Sequence, residues 1–448
     1  MNIQLQAVAL SCLLGLLSEP LLEAQSKVWS VDDCIQYALE KNIQVQKAKV
    51  SNDISQINLG YAKSAWYPSL SGSARQNFDW SNQLNTTTGS TVFKGTNGTN
   101  LSLNSGMIVF NGNKIHNSVR KAETDYEADK YNTEVIKESV SLNVLNAYLQ
   151  VLFAEEQVKN IEGQISSLEE QLSLANERLN LGVIANSDYL LVKSQLATEK
   201  QTLATSQSQL AIDKIALMQL MELTDTNDIL IQRPNLDSLI NQKRIPDPKQ
   251  VYQISLGIKP EVKNAELAKK SSQISVDLAR ANYYPNLSLN AGISTLYSSS
   301  QKGTSFGYQF KNNVSPAIGV TASVPIYLNK QIRTNVAIAE ENTNNAELDE
   351  LNVKNQLRKA IEQACQDVIS SQIEYEASAE AYKAVKESYD VASEKYFQGL
   401  MNSVDFLIQK TSFITAESTL LQSKYRLVFS YKVLDFYSGR SLSFNNVK

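Results

Sequence analysis

Histidine is almost absent from this chain of 448 residues: His116 stands alone. Cysteine occurs three times, at positions with no metal-ligand spacing. A zinc site needs three or four nitrogen or sulfur ligands, so neither residue supports one. No nucleophile–base pair, convergent titratable cluster or glycine-rich phosphate loop is legible, and an enzyme is not expected. No cofactor is expected either. The net charge of −4 carries no basic footprint for nucleic acid. Tryptophan is scarce, at three, whereas tyrosine reaches twenty.

A long apolar run is lacking too. The strongest, Ala7 to Leu17, is too short to cross a bilayer as a helix. With Glu23-Ala24 ahead of Gln25 it suits a small-residue cleavage site, and residues 1–24 read as a secretory signal peptide. No Lys or Arg precedes the run, which departs from the usual pattern. Leu10-Ser11-Cys12 has the outline of a lipoprotein box, but Leu13, Leu14, Leu16 and Leu17 follow the cysteine, which argues against lipidation. In an oxidising compartment Cys34 and Cys365 are chemically free to bridge. Both fall in helical patterns, which favours two buried thiols.

What is present is helix. Lys114 to Arg233 holds no proline and only Gly163 and Gly182. Ile161, Ile165, Leu168, Leu172, Ala175 and Leu179 step by four and three residues, a heptad seam for packing on other helices. After Gly182 the seam resumes as Tyr189, Leu196, Leu203, Leu210 and Leu217. Gly182 to Ser187 is therefore expected to turn the chain between antiparallel helices. Asn186 and Ser187 are the candidate N-caps, with Asp188 in the first turn. A helix from Lys114 to Leu181 would be roughly 100 Å long.

A shift of 217 positions repeats the plan. It carries Tyr67-Pro68 onto Tyr284-Pro285, Gly182 onto Gly399, Asp188 onto Asp405 and Leu217 onto Leu434. Heptad helices resemble one another anyway, but the Tyr-Pro pairs and turn glycines lie outside the heptads. The chain is a tandem duplication. The expected organisation is signal 1–24, first repeat 25–222, linker 223–249, second repeat 250–441 and a loose tail 442–448.

Each repeat opens with a helix, Val31 to Ala65 in the first, ended by its Tyr-Pro pair. Alternating segments follow. Leu70, Gly72, Ala74, Phe78 and Trp80 point one way, with Ser71, Ser73, Arg75, Asn77 and Asp79 opposite. A polar loop is expected from Ser81 to Gly98, then a strand with Leu101, Leu103, Met107 and Val109 on one face. Asn111-Gly112-Asn113 turns into the long helix. In the second repeat Leu287, Leu289, Ala291 and Ile293 alternate with Ser288, Asn290, Gly292 and Ser294. A polar loop leads to Ile318, Val320, Ala322 and Val324, and Leu328-Asn329-Lys330 opens the next long helix.

The helices use their apolar stripes on each other, so nothing is left to cover an apolar strand face in water. Against lipid, with Ser, Asn and Arg inward, that face suits a membrane barrel. Phe78, Trp80, Tyr297, Phe306, Tyr308 and Phe310 stand where an aromatic girdle would sit. Four strands cannot close on themselves, and open edges are not tolerated in lipid. Copies must share one barrel: eight strands from two chains, or twelve and a wider lumen from three. Small polar inward residues favour the wider one.

Specific motifs carry a resemblance. They are the junctions Tyr67-Pro68-Ser69-Leu70 and Tyr284-Pro285-Asn286-Leu287, and the strand exits Val109-Phe110-Asn111-Gly112 and Val324-Pro325-Ile326-Tyr327. The most specific are the tips, Arg178 to Gly182 with Asp188-Tyr189-Leu190, and Tyr396 to Leu400 with Asp405-Phe406-Leu407. In these the chain resembles the TolC family of outer-membrane efflux ducts along nearly its whole length. It departs at the exits, with Asn111 for the usual Asp and Leu328-Asn329-Lys330 for Asp-Gly-Gly. The resemblance implies an α+β membrane protein: a homotrimer with a twelve-stranded transmembrane β-barrel, four strands from each chain. An antiparallel α-helical coiled-coil barrel would continue it into the periplasm. It implies docking to a periplasmic adaptor and an inner-membrane transporter, and export of small molecules across the outer membrane. Two other functions stay open: the outer-membrane duct of a type I protein secretion system, and a coiled-coil surface protein without a pore.

Two sets of site residues follow. Leu181, Gly182, Val183 and Asn186, with Gly399, Leu400, Met401 and Ser403, form apolar tips at the far end of the helices, where exposed apolar residues suggest an adaptor. Asp188 and Asp405 complement helix dipoles; repeated three times around one axis, they would also line a channel mouth and favour cations. In the family the position of Asp405 lines the closed entrance, and those of Tyr396 and Asp188 form a contact that holds it shut. Met401 stands where the family's gate can use an arginine.

Overall fold

The computed structural model describes residues 27–84, 89–224, 228–234, 236, 240, 247–301, 303–442 and 444. The signal segment 1–24 and most of the tail 442–448 lie outside these residues, as does much of the linker 223–249. In chain order the described elements are β1 (Val28–Trp29), α1 (Val31–Lys41), α2 (Ile43–Ser64), β2 (Ser69–Leu84), β3 (Thr91–Phe110), α3 (Lys114–Asn180) and α4 (Asn186–Met221). They continue as β4 (Leu230–Ile231), α5 (Pro248–Ile258), α6 (Pro260–Arg280), a 3-10 turn (Ala281–Tyr283), β5 (Asn286–Ser298), α7 (Phe306–Asn312), β6 (Ser315–Ser323), α8 (Gln331–Phe397) and α9 (Ser403–Tyr437).

The chain forms two compact units that cut across the duplication. One takes residues 1–45, 137–255 and 360–448, the other 46–136 and 256–359. The first is helical. Its seam packs Ile161, Ile165 and Leu168 of α3 on Leu196 of α4, with Leu172, Val192 and Leu203 beside them. β1 and β4 pair in parallel, Val28 with Leu230 and Trp29 with Ile231. The buried Tyr148 ties them together, its hydroxyl reaching the carbonyls of Trp29 and Gln232. Cys34 and Cys365 are buried and free; burial raises both thiol pKa values, that of Cys34 to about 12.

The expected first helix is broken. Asn42 leaves helical geometry at φ −57° and ψ 129° and separates α1 from α2. Its side chain explains the break: Oδ1 accepts from the Gln44 N–H at 2.9 Å and Nδ2 donates to the Leu220 carbonyl at 2.9 Å. Asn competes readily with helical hydrogen bonds in this way.

The second unit holds an antiparallel sheet of order β2-β3-β5-β6. Its register brings the apolar residues to one face: Gly72 pairs with Leu103, Leu103 with Ile293, Ala291 with Ile318 and Leu289 with Val320. The other face carries Ser73, Ser102 and Ser294 in one row and Ser71, Asn104 and Gly292 in the next. The polar stretch expected to loop from Ser81 to Gly98 is instead mostly strand, with Ser81 paired to Lys94 and Asn82 to Phe93. Backbone pairing extends there without help from an apolar pattern. A bulge between Ile108 and Phe110 leaves Val109 out of the strict alternation. The second expected loop contains α7. Ser305 caps it by accepting from the Tyr308 N–H, and Gln309 fastens it to the main chain of Ser298. Tyr297, Phe306 and Phe310 form a ring cluster with centroids 4.9 and 5.1 Å apart.

The turns into the long helices use left-handed residues, Gly112 and Asn113 before α3, Asn329 and Lys330 before α8. Gly112 and Gly182 differ in what a side chain would meet. A Cβ at Gly112 would lie 2.6 Å from Tyr284 Cβ and 2.7 Å from the Ala281 carbonyl, whereas nothing lies within 4 Å at Gly182. Both alanine variants carry the left-handed strain of roughly 1–2 kcal/mol. Gly112→Ala adds overpacking of about 1–3 kcal/mol. Thermal melting of the purified protein should place Gly112→Ala clearly below Gly182→Ala; equal melting would show that the junction relaxes freely.

Candidate functional site

The two helical hairpins, α3–α4 and α8–α9, end in related tips within the helical unit. Each long helix stops at a left-handed glycine, Gly182 at φ 71° and Gly399 at φ 75°. The Gly182 N–H bonds Leu179 O and the Val183 N–H bonds Arg178 O; in the second tip Gly399 bonds Tyr396 O and Leu400 bonds Lys395 O. This closure satisfies carbonyls that a helix end leaves unpaired. Leu181 is 78% exposed, Val183 69% and Leu400 74%. Gly182, Asn186 and Gly399 are exposed as well. The other two expected tip residues turn inward. Met401 packs on the cluster of Ala392, Tyr396 and Phe406, and Ser403 is buried.

The returning helices start differently. In the second tip Asn402 is the N-cap: its Oδ1 accepts from the Asp405 N–H at 2.8 Å and its Nδ2 donates to Asp405 Oδ2 at 2.8 Å. In the first, Asn186 and Ser187 are not caps, because Ala185 holds that position and has no side-chain acceptor. Asn186 is the first helical residue. Asp188 is half-buried in the first turn, while Asp405 is exposed. The structure does not bring Tyr396 to Asp188 through any described hydrogen bond. The Tyr396 ring stacks on Phe406 at 4.5 Å and 8°.

Around Tyr396 runs an aromatic ladder. Phe406 also meets Tyr389 at 5.9 Å, Tyr389 stacks on Phe413 at 4.8 Å, and Phe413 meets Tyr382 at 5.8 Å. The first hairpin has Ile165, Leu172, Leu179, Tyr189 and Leu196 at the matching positions. One guanidinium connects the tips: Arg178 Nη2 donates to Phe397 O at 2.6 Å and Nη1 to Tyr396 O at 3.4 Å.

Above the tips a polar layer crosses the bundle. Lys410 of α9 is only 3% exposed and donates to Gln171 Oε1 of α3 at 3.3 Å. Glu199 of α4, also buried, accepts from Gln195, and the Tyr389 hydroxyl of α8 faces Ser167 and Gln171. Burial pushes Lys410 down to about 8, with the Glu199 carboxylate opposing that shift. Burial raises the Tyr389 phenol. Sequence reasoning missed this layer, although the signal was there. Lys410 sits between Phe406 and Phe413, and Glu199 between Leu196 and Leu203, at seam spacing.

In the sheet-bearing unit the polar face is cross-linked by side chains. Ser73 and Ser102 share a hydrogen bond of 2.8 Å, Asn104 donates to Ser102, and Asn290 donates to Ser288 and Thr321. The opposite face leaves large apolar groups open, including Leu70, Ile318 and Val320. Among the described residues no helix is long and apolar enough to cross a membrane, and no group of acidic, His or Cys residues is placed to hold a metal ion.

The profile of the outer membrane efflux protein family matches residues 34–222 and 251–440. The chain belongs to this family, the TolC family of outer-membrane channels. Solved structures of efflux-family channels share the fold. CusC, whose structures concern transmembrane channel formation, superposes with a TM-score of 0.79 at 20% identity, over 92% of this chain and 92% of CusC. The CmeC outer membrane channel of Campylobacter jejuni gives 0.79 at 19% identity, over 91% and 85%. The open state of the MtrE outer membrane channel of Neisseria gonorrhoeae gives 0.74 at 18%, over 93% and 91%. No curated protein sequence matches the chain. At these identities the likeness concerns the fold, so the efflux-channel residues of this chain rest on its own geometry.

The polar layer yields a pH test. Lys410 has a folded pKa below its ordinary 10.5, so the unfolded chain holds more protons between the two values. Its penalty is complete below pH 8 and fades as pH rises towards 10, at about 1.4 kcal/mol per pKa unit. Lys410→Met should melt higher than the unsubstituted protein near pH 7, and the gap should narrow by about pH 9.5. A gap independent of pH would show that the ammonium is solvated in solution.

Proposed function

We propose that the chain is the outer-membrane duct of a tripartite efflux pump, exporting small molecules across the periplasm and outer membrane. The observation that carries this reading is the two-faced sheet whose outer strands have no further partner among the described residues, in a chain of the outer membrane efflux family. Its apolar face meets lipid and its hydroxyl and amide face lines the lumen. Three chains contribute four strands each to a closed twelve-stranded barrel, because free edges are not tolerated in lipid. The strand-to-helix junction supports such a neighbour. Around a groove of about 940 Å³ stand Tyr61, Tyr284, Val324, Ile326 and Tyr327, and Ile326 is 94% exposed.

The helices continue the duct through the periplasm, α3 and α8 alone each spanning about 100 Å. Leu181, Val183 and Leu400 are the apolar groups through which the tips dock a periplasmic adaptor, which links the duct to an inner-membrane transporter. Gly182, Asn186 and Gly399 shape that surface; Met401 and Ser403 support it from beneath. Asp405 and Asp188, each present three times, set a cation-favouring gate with Tyr396.

Planar-bilayer recording tests the duct. The purified trimer should conduct, and Asp405→Ala should lower its cation selectivity and its block by divalent cations. Unchanged selectivity removes Asp405 from the gate; absence of conductance, or a monomer by sedimentation in detergent, overturns the duct itself.

Docking is tested in cells. Leu181→Asp combined with Leu400→Asp should abolish efflux while the trimer and its outer-membrane fractionation persist. Efflux that survives moves the adaptor surface elsewhere.

A further inference from the structure

The two outer strands of the sheet differ in length. β2 has sixteen residues and β6 nine. Both abut the helix junction: β2 starts after Tyr67-Pro68, and β6 ends ahead of Pro325. Counted from there, a ladder between β6 of one chain and β2 of the next runs out near Asn77. Phe78 to Leu84 are left with no strand beside them. Pro316, the second residue of β6, has no N–H with which to carry the ladder outward. In lipid such an edge must be covered.

The same shortfall falls on β5 within the chain, and there α7 makes it good. β6 stops at the pair of Ser294 with Ser315, so Thr295 to Ser298 have no strand on that side. Asn313 Nδ2 donates to Leu296 O at 2.7 Å. The Ser298 N–H donates to Gln309 Oε1 at 2.9 Å, and Gln309 Nε2 donates back to Ser298 O at 3.2 Å. Leu296 and Ser298 are alternate residues, whose main chains face one neighbour in an antiparallel sheet. The Gln309 amide, 2% exposed, thus stands in for a peptide group of a longer β6. Thr295 Oγ1 adds a bond to Phe310 O at 2.7 Å.

α7 therefore occupies the place of the missing outer half of β6. Phe306 and Phe310 cluster with Tyr297 on the β5 side. The Tyr308 ring is exposed, and among the described residues it makes no ring contact and its hydroxyl no hydrogen bond. On β2, Phe78 and Trp80 are exposed as well. The register sets them on the same apolar face as Tyr297, since Gln76 pairs with Thr99 and Thr99 with Tyr297. One end of the sheet thus carries a strand end that lacks a partner strand and a helix that fills the place of one.

We infer that α7 is the seat for the outer end of β2 of a neighbouring copy of this chain, with Tyr308 packed against the stretch from Phe78 to Leu84 where the strand ladder has stopped. The inference rests on the duct reading and deepens it: a helix forms the part of the chain–chain boundary that β6 is too short to form.

Disulfide trapping tests the seat. Tyr308→Cys is combined in turn with Phe78→Cys, Trp80→Cys, Asn82→Cys and Leu84→Cys in the full-length chain, with Cys34 and Cys365 replaced by alanine, and oxidised in outer-membrane fractions. A parallel series joins Gly319→Cys to single cysteines from Ser69 to Asn77. The first series should give linked dimers and trimers, strongest at one or two positions. Links from Gly319 with none between chains from Tyr308 overturn the seat and leave the duct standing, with lipid then covering α7. No links between chains in either series overturn both. As a second readout, Tyr308→Ala should raise the rate of trimer dissociation on heating in detergent roughly tenfold, and Tyr308→Phe should leave it near the unsubstituted value. Equal rates in Tyr308→Ala and the unsubstituted protein overturn the packing of Tyr308 on the neighbouring chain.

Discussion

An apolar sheet face cannot remain in water, and a sheet edge cannot remain in lipid. The sheet of this chain meets both constraints at once. Ile318 and Val320 open onto one side, serines and asparagines line the other, and among the described residues β2 and β6 have no outer partners. In the proposed duct, closure with further chains in a membrane resolves this. On that reading the polar face acquires its use: the hydroxyl and amide rows that would be wasted on a buried core would form the wall of a water-filled passage.

The helical unit solves a different problem. A heptad seam alone lets helices slide, since one leucine layer resembles the next. Buried polar residues at seam positions fix register at a cost in stability. Gln171, Glu199 and Lys410 form such a layer, and no described ion pair relieves the lysine directly. The duplicated hairpins have diverged around this frame. Tyrosine and phenylalanine stack in the second where the matching positions of the first are aliphatic except for Tyr189, and Asn402 builds a cap where Ala185 has none. Arg178 joins the two ends.

Much of this was legible in the residues. Heptad spacing and the absence of proline located α3 to within a residue, from Lys114 to Asn180. Strict alternation found the cores of the strands and their faces. It failed where polarity stopped alternating: β2 and β3 run on through Ser81–Leu84 and Thr91–Gly98, held by backbone pairing that composition does not report. Asn42 broke a helix through a contact with Leu220, far away in sequence. The tips were found from their glycines, but not the inward turn of Met401 and Ser403, which depends on packing across α8 and α9. The Arg178 link between the tips was illegible for the same reason, because its partners are main-chain atoms of the other hairpin.

The shared barrel is the claim from which the rest follows, and strand-edge crosslinking tests it most directly. Single cysteines along β2 are combined with one at Gly319 on β6, in a chain whose Cys34 and Cys365 are replaced by alanine, and oxidised in outer-membrane fractions. The account predicts disulfide-linked dimers and trimers, strongest at one register and falling away on either side, with no larger species. Crosslinks confined within single chains, or none at any register, would contradict it.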